Sequence, residues 1–483
     1  MSTDAAEQFT QHLERPLGRG RLPEDAFTGA AGGAACGDLI RISIALAPAS
    51  PDGRIADAGF DASGCGASIA AGSAVVALVR DKPLLQAARL GAERIAAELG
   101  GLRPAKRHAA ELAADALHRA LGQAARAAAL APGPERALVA MSGGVDSAVA
   151  ALLAAGDGHE AVAVTLELWA DAENDGEQSC CSAQAVRGAR ALAHELGMPH
   201  LSIDLRQEFR AGVIEHWLAD HAVGLTPNPC VRCNGSVRLD AMLELAGRLG
   251  AATLATGHYA RVRDGLLMTA ADERKDQSYV LAALAPASLA RLRFPLGELH
   301  KAQVRELAAH AGLAVATKRE SQDLCFLAGT RHARFLERHG GLGRRPGPIV
   351  HVQDGAVLGE HAGAHAYTVG QRHGLGVSAA EPLYVLATDA AANTVTVGPR
   401  EQLLAGRLRV RDATLHRDGR CVDGVRVRAH GRRLDCRVSG EPRPGRHAEL
   451  HVELAQPAER TAPGQLACLY AGASVVGYAT VAV

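Results

Sequence analysis

The sequence predicts a multidomain protein: an α+β front domain, an α/β domain on a parallel sheet, a small helical and mixed region, and a C-terminal β-barrel. Three observations carry this. Between residues 136 and 260, short apolar strands ("ALVAM", "AVAVTLEL", "HLSIDL", "ATLAT") alternate with helical patterns, the signature of parallel β-α units. Beyond 345, period-two segments broken by glycine and proline ("HAYTVG", "NTVTVG", "LRVRDATL", "HAELHVEL", "SVVGYATV") predict an all-β tail that closes as a barrel. Ahead of both, "APGPE" at 131–135 is the clearest linker in the chain.

Taken in order, "LIRISIAL" (39–46) alternates with Ile40, Ile42, Ile44 and Leu46 on one face, which predicts a strand, and "RIADAGFDASG" is its candidate partner. Helical runs follow at about 66–80, 84–98 and 106–128, the last two separated by Gly100, Gly101 and Pro104. The expected division is a front domain over 1–130, the linker at 131–135, a catalytic parallel-sheet domain over 136–285, a helical region over 286–345, a central β region over 346–400 and the barrel over 401–483.

With 483 residues, 48% of them apolar, the chain can fill two to four cores. Its 52 Lys and Arg balance 52 Asp and Glu, so global charge neither favours nor excludes a polyanionic partner. The opening "MSTDAAEQFT" lacks the basic and apolar parts of a signal peptide, and no apolar run is long enough to span a bilayer. A cytoplasmic protein without a membrane partner is expected. Ten cysteines are too sparse for a disulfide scaffold and suggest reduced thiols available for metal or redox work.

The stretch "LVAMSGGVDSAVAALLAAG" concentrates the chemistry. Between the end of a buried strand and the start of a helix lie Ser142, Gly143, Gly144, Val145, Asp146 and Ser147. Glycines there let backbone N–H groups converge on one point, and the helix N-terminus adds partial positive charge, which suits a phosphate. The lysine of a Walker loop is absent. The string SGGVDS resembles the pyrophosphatase (PP) loop of the N-type ATP pyrophosphatases, adenine-nucleotide α-hydrolase-like enzymes that split ATP to AMP and pyrophosphate while adenylating a carbonyl oxygen.

Further strings select a branch of that family: "CCSAQAVRGARALAHELGMPH", "TPNPCVRCN", "ATGHYAR", "KDQSYVL", "FPLGELHKAQVRELA", "ESQDLCF", "YTVGQRHGLG" and "APGQ". In this order, over residues 136–483, they resemble the tRNA-specific 2-thiouridylases of the MnmA type. The resemblance implies ATP-dependent 2-thiolation of the wobble uridine in lysine, glutamate and glutamine tRNAs. ATP and Mg²⁺ would be its cofactors, with Asp146 a nearby carboxylate; tRNA and a sulfur donor, such as a cysteine desulfurase or sulfur-relay protein, would be its partners. It casts Cys233 as the nucleophile-type partner and Cys325 as the persulfide carrier. It places ATP on Ala140, Met141, Ser142, Gly143, Gly144, Val145, Asp146, Ser147, Leu166 and Gly257. For tRNA it implies Asn228, Pro229, Cys230, His258, Lys275, Asp276, Gln277, Arg428 and Gln465. Two alternatives share these motifs: another PP-loop RNA thiolase or adenylase, and a non-catalytic iron–sulfur or zinc carrier.

Many members of the family have aspartate where this chain has Cys230. The thiols of Cys230, Cys233 and Cys325 would suit a four-iron four-sulfur cluster that binds an extra sulfur. The same C-x-x-C could instead hold zinc, form a redox pair, or leave a persulfide relay with a bystander thiol. Arginines at 331, 334, 338, 344, 345, 426, 428, 432, 433 and 437 are candidate phosphate contacts. Cys421, Cys436 and Cys468 in the β tail are expected to be small buried hydrophobes. Cys180 and Cys181 receive no role.

The front domain carries "AACGDLIRISIAL", "DASGCGASIAAGSAVVALV" and "PAKRHAAELAADALHRAL", which resemble the IscU/NifU iron–sulfur scaffold. That family's ligands map to Cys36, Asp38, Cys65 and His108; the cysteine expected after the histidine is Ala109 here. Two thiolates, a carboxylate and an imidazole could form a tetrahedral zinc or iron site, hold a labile cluster, or persist as a docking module.

Overall fold

The computed structural model describes residues 3–32, 37–171, 182–318, 324–327 and 329–482, with side chains from residue 7 onward. Three architectures follow one another, as the sequence predicts.

In the front domain, strands Phe27–Gly32, Leu39–Leu46 and Ile55–Ser63 form an antiparallel sheet in that order. Ile40, Ile42 and Ile44 are wholly buried on one face, the outcome the alternation demands. Helices Gly66–Val79 and Arg107–Ala127 cover that face. The run expected at 84–98 is two helices, Leu84–Ala87 and Ala92–Glu98. The break frees backbone carbonyls for other partners: Ala88 O accepts from His200 N of the next domain at 3.0 Å, and Leu90 O contacts His118 Nε2 on the long front-domain helix at 2.8 Å.

The second architecture is a five-stranded, all-parallel sheet in the order Leu292–Arg293, Ala251–Ala255, Gly133–Ala140, Glu160–Glu167, His200–Asp204. Its first strand in sequence begins at Gly133, inside the predicted linker. Ala131 N bonds Pro51 O at 2.7 Å and Gly133 N bonds Gly250 O at 2.9 Å, so the connection is held from both sides. Strand order reverses about Gly133–Ala140, the switch point outside whose carboxyl end such sheets bind ligands.

Helix Arg107–Ala127 lies along the outer strand His200–Asp204. A Cβ on Gly122 would fall 1.9 Å from Ser202 O, so only glycine permits this approach. Asp115 on the same helix binds Arg187 at 2.6 Å and the buried Arg190 at 2.8 Å, and Arg126 binds Glu208 at 2.6 Å.

A four-stranded sheet (Val357–His361, Gly347–His351, Thr394–Gly398, Tyr384–Asp389) precedes the barrel. Six strands form the barrel, Leu404–Leu415, Gly445–Glu459, Leu434–Val438, Gly424–Arg426, Leu466–Ala471 and Ser474–Val481, closed by pairing of the first with the last. The hairpin Arg261–Arg263/Leu266–Met268, from the catalytic half, extends the same sheet through Met268 and Ser474. "HAYTVG" is not a strand: Ala366 and Tyr367 N–H groups bond carbonyls three residues back, and it is Gly370, at its end, whose N–H reaches strand Tyr384–Asp389, bonding Val385 O at 2.8 Å. Of the tail cysteines Cys468 is buried and Cys436 half-buried, but Cys421 is exposed, because the turn Gly419–Cys421 faces solvent and its thiol reaches Asp418 O at 2.8 Å. No helix among the described residues is long and apolar enough to cross a membrane.

Candidate functional site

Strand Gly133–Ala140 delivers the chain into 141–144, and helix Val145–Gly156 begins at once. Gly143 has φ +69°. Ser147 Oγ organises the loop by accepting from Ser142 N at 3.1 Å and donating to Gly144 O at 3.0 Å. Gly257, after the neighbouring strand, faces the start of this helix. A Cβ there would lie 2.8 Å from both Asp146 C and Ser147 N. Leu166, at the end of the strand on the other side, is buried. The residues predicted for nucleotide, Ala140 to Ser147, Leu166 and Gly257, therefore share the carboxyl end of three adjacent strands.

Sequence reasoning missed the cations. Lys301, at the start of helix Lys301–His310, reaches Asp146 with Nζ at 2.7 and 2.8 Å from its two oxygens. Tyr259 OH donates to the same carboxylate at 2.8 Å. Lys318 Nζ donates to Gly143 O at 2.9 Å. Both lysines lie over 150 residues from the loop; Lys301 falls within the string "FPLGELHKAQVRELA", but nothing in its neighbourhood points to the loop, and Lys318 lies in none of the family strings. The Asp146 carboxylate, expected near Mg²⁺, is held by Lys301 and Tyr259.

Asn228 caps the turn that holds the C-x-x-C pair: its Oδ1 accepts from Cys230 N at 3.0 Å, and Pro229 starts helix Pro229–Arg232. The chain then widens into a π-helical turn, Cys233–Arg238, a geometry that recurs at functional sites. Cys233 is buried, while Cys230 is half-buried and its thiol is pushed up by burial, with Arg238 opposing. Cys325 sits half-buried in the turn Leu324–Leu327 and packs against the core cluster that contains Cys233. The next residue, Phe326, anchors it: its ring lies 5.2 Å from Trp217, 5.0 Å from Phe335 and 6.1 Å from Phe209. Trp169 packs 5.7 Å from Phe335, so this cluster holds both tryptophans and three of the seven phenylalanines in the chain.

The residues expected to meet tRNA divide. Lys275 is half-buried on the loop ahead of helix Ser278–Leu281, and Arg428 is exposed on the barrel. His258 is buried, bonded to Thr256 Oγ1 at 2.9 Å, and burial with help from Arg238 holds its ring down to about 3. Gln277 Oε1 accepts from Tyr259 N at 2.9 Å. Asp276 binds Arg426 at 2.6 Å, and its side chain is only 1% exposed, so it ties this loop to the barrel. Gln465 is similar: its Nε2 donates to Thr226 O, and Thr226 N bonds Pro463 O at 2.9 Å. The "TPNPC" and "APGQ" strings thus meet, and the barrel braces the segment leading to Cys230. Much of the arginine pattern is also engaged, with Arg338 on Asp171 at 2.6 Å and Arg437 on Glu453 at 2.7 Å.

In the front domain Asp38, Cys65 and His108 converge, with ligand atoms all within 4.8 Å of one another. Asp38 Oδ2 accepts from Ser68 Oγ at 2.8 Å and lies 3.2 Å from both Cys65 Sγ and His108 Nε2. Burial pushes the Asp38 carboxyl up. The bonds from Ser68, the Cys65 N–H and thiol, and His108 outweigh it and hold the group at about 2. This donor set fits a single zinc or iron ion. Cys36 lies outside the described residues, as do Cys180 and Cys181. Among the described residues Cys230, Cys233 and Cys325 do not gather their three sulfurs within 4.8 Å.

Comparison with known proteins agrees with this arrangement. Four family models match in order: a NifU-like N terminal domain (5–128), a tRNA methyl transferase HUP domain (135–329), a tRNA methyl transferase PRC-barrel domain (333–399) and an aminomethyltransferase beta-barrel domain (402–481). A bifunctional protein NifU/MnmA of Rubrobacter xylanophilus is 43% identical over 482 residues, spanning 97% of this chain and 96% of that one. A tRNA-specific 2-thiouridylase MnmA of Chloroflexus aggregans is 44% identical over 350 residues, 70% of this chain and 96% of that one. A third, from Thermobifida fusca, is 43% identical over 356 residues, 72% of this chain and 95% of that one. With a glycine loop at the sheet's switch point, two cysteine turns on one core and a scaffold-like domain in front, the chain belongs to the bifunctional NifU/MnmA family.

Proposed function

We propose that the protein is an ATP-dependent tRNA-uridine 2-sulfurtransferase that acts in the cytoplasm on the wobble uridine of lysine, glutamate and glutamine tRNAs. One observation carries the reading: Lys318, seven residues before Cys325, is bonded to Gly143 of the nucleotide loop, so the thiol-bearing segment starts from the phosphate site. Oxide is a poor leaving group from a uracil carbonyl, and ATP solves this by adenylating O2 with loss of pyrophosphate. The terminal sulfur of a persulfide on Cys325 then attacks C2, and AMP departs with the oxygen. Cys233 attacks the Cys325 sulfur of the resulting C2–S–S bridge, which leaves sulfur on the base and a Cys233–Cys325 disulfide. A thiol reductant resets the pair, and a cysteine desulfurase or relay protein reloads Cys325.

The buried cluster around Trp169, Phe209, Trp217, Phe326 and Phe335 fixes the Cys325 turn. The Asp276–Arg426 and Gln465–Thr226 contacts fix the two loops that would flank an extruded uridine. Mg²⁺ accompanies ATP as its counterion. In the front domain Asp38, Cys65 and His108 would hold Zn²⁺ or iron, with Cys36 as the fourth candidate. Such an ion would keep the Cys65 sulfur ionised, in keeping with a role in sulfur handling. The C-x-x-C spacing of Cys230 and Cys233 on one turn supports a second reading, in which an iron–sulfur cluster carries the sulfur. Iron uptake lost in Cys230→Ala would favour it.

The test is nucleoside mass spectrometry of tRNA treated with the full chain, ATP and a persulfide donor. Expected are 2-thiouridine and AMP in equal amounts. Cys233→Ser and Cys325→Ser should lose thiolation while still releasing pyrophosphate. A methylated nucleoside, or thiolation without AMP, refutes the proposal.

A further inference from the structure

The glycine loop offers a triphosphate backbone N–H groups, the neutral hydroxyls of Ser142 and Ser147, and a helix end worth about half a positive charge. Phosphates bring several negative charges, and the loop's own sequence holds no basic residue. Two ammonium groups reach it from elsewhere, and they differ. Lys301 is committed to Asp146, which Tyr259 also binds. The Lys318 ammonium donates to the carbonyl of Gly143 at 2.9 Å, and among the described residues no carboxylate pairs with it.

We propose that Lys318 supplies the cation for the outer phosphates of ATP that the glycine loop lacks. This rests on the nucleotide reading above. An ammonium carries three donors, and among the described residues the Gly143 carbonyl takes one, which leaves two for a phosphate. A neutral carbonyl is a weaker partner than a phosphate oxygen, so the side chain exchanges or adds partners when nucleotide arrives. Its backbone is prepared for this. Lys318 N bonds Val315 O at 3.0 Å, and Arg305 on helix Lys301–His310 donates to Ala316 O at 2.8 Å and to Lys318 O at 3.5 Å. The ammonium therefore hangs from a braced turn, positioned before substrate binds. Lys301 plays the complementary part of a positioning residue, fixing the Asp146 carboxylate together with Tyr259. Because Lys318 meets the outer phosphates, it distinguishes ATP from AMP and favours release of the product nucleotide.

Calorimetric titration of the full chain with ATP and, separately, AMP tests this, using Lys318→Met and Lys318→Arg. Expected for Lys318→Met is ATP affinity weakened about 10- to 100-fold, the range of a charge-assisted hydrogen bond, with AMP affinity within twofold of wild type. Lys318→Arg should recover most of the loss. If Lys318→Met binds ATP as wild type does, or loses ATP and AMP equally, the assignment is overturned. If the wild-type chain binds no ATP, the nucleotide reading itself fails, and the two failures are distinct.

Discussion

A single methyl group at Gly257 should disable the nucleotide loop. In Gly257→Ala the new Cβ would sit 2.8 Å from Asp146 C and Ser147 N and 3.0 Å from Asp146 O. Ordinary contact begins near 3.4 Å. The methyl and the loop must therefore separate by about 0.6 Å, against backbone that cannot rotate away as a side chain would. Overpacking of this kind costs about 1–3 kcal/mol. The strain falls on the peptide between Asp146 and Ser147 in the first turn of the helix, where the proposed anion site lies, so much of it should appear in binding. ATP affinity should fall about 5- to 150-fold, at about 1.4 kcal/mol per decade. Gly156→Ala, at the far end of the same helix with nothing within 4 Å of its added Cβ, is the control and should bind ATP like wild type. Calorimetry with ATP and a thermal melt of each variant make the comparison. Gly257→Ala binding ATP within twofold of wild type, at unchanged melting temperature, would refute the claim that backbone proximity shapes this site.

Two further outcomes follow from buried charge. Asp276→Asn keeps the shape but leaves the Arg426 guanidinium, 14% exposed, without its carboxylate. Removing one partner of such a pair costs about 3–5 kcal/mol, so the urea transition of the barrel should move to lower concentration; a loss under 1 kcal/mol would show the pair to be dispensable. Asp38, held at about 2 against an ordinary 3.8, stabilises the front domain above about pH 4 and loses that contribution as pH falls through about 2. The shift corresponds to about 2 kcal/mol. With metal removed by chelation, hydrogen exchange of strand Leu39–Leu46 in the native chain should therefore approach that of Asp38→Asn at pH 2.5 and differ from it at pH 5. An equal gap at both values would contradict the carboxylate's role.

Elements whose stability is local were legible in the sequence. Leu39–Leu46 and Ser474–Val481 occupy the residues their alternation marks, because one face of each is buried and period two has no other solution. The SGGVDS junction is equally local, since strand end, glycines and helix start are contiguous. What stayed hidden depends on partners far along the chain. The break at Ala88–Gly91 exists because carbonyls there serve His118, His194 and His200. The hairpin at 261–268 has strands of three residues, too short to show a period. Asp276 looks like a solvated turn acid until Arg426, 150 residues away, is seen against it. Lys318 is an ordinary lysine in an ordinary run, and Lys301, although inside a family string, has nothing beside it that names Asp146; only the fold brings the two to the loop.

The front helix laid along His200–Asp204 has a practical consequence for anyone wishing to ask what the scaffold half contributes. Cutting the gene at the junction would strip the outermost strand of its cover, strand the guanidinium groups of Arg187 and Arg190, and expose unpaired backbone to neighbouring molecules. A truncated enzyme that clumps or idles would then report lost scaffolding and say nothing of sulfur traffic. Silencing the front half in place, by exchanging Cys65 or His108 while the brace stays whole, separates the two questions.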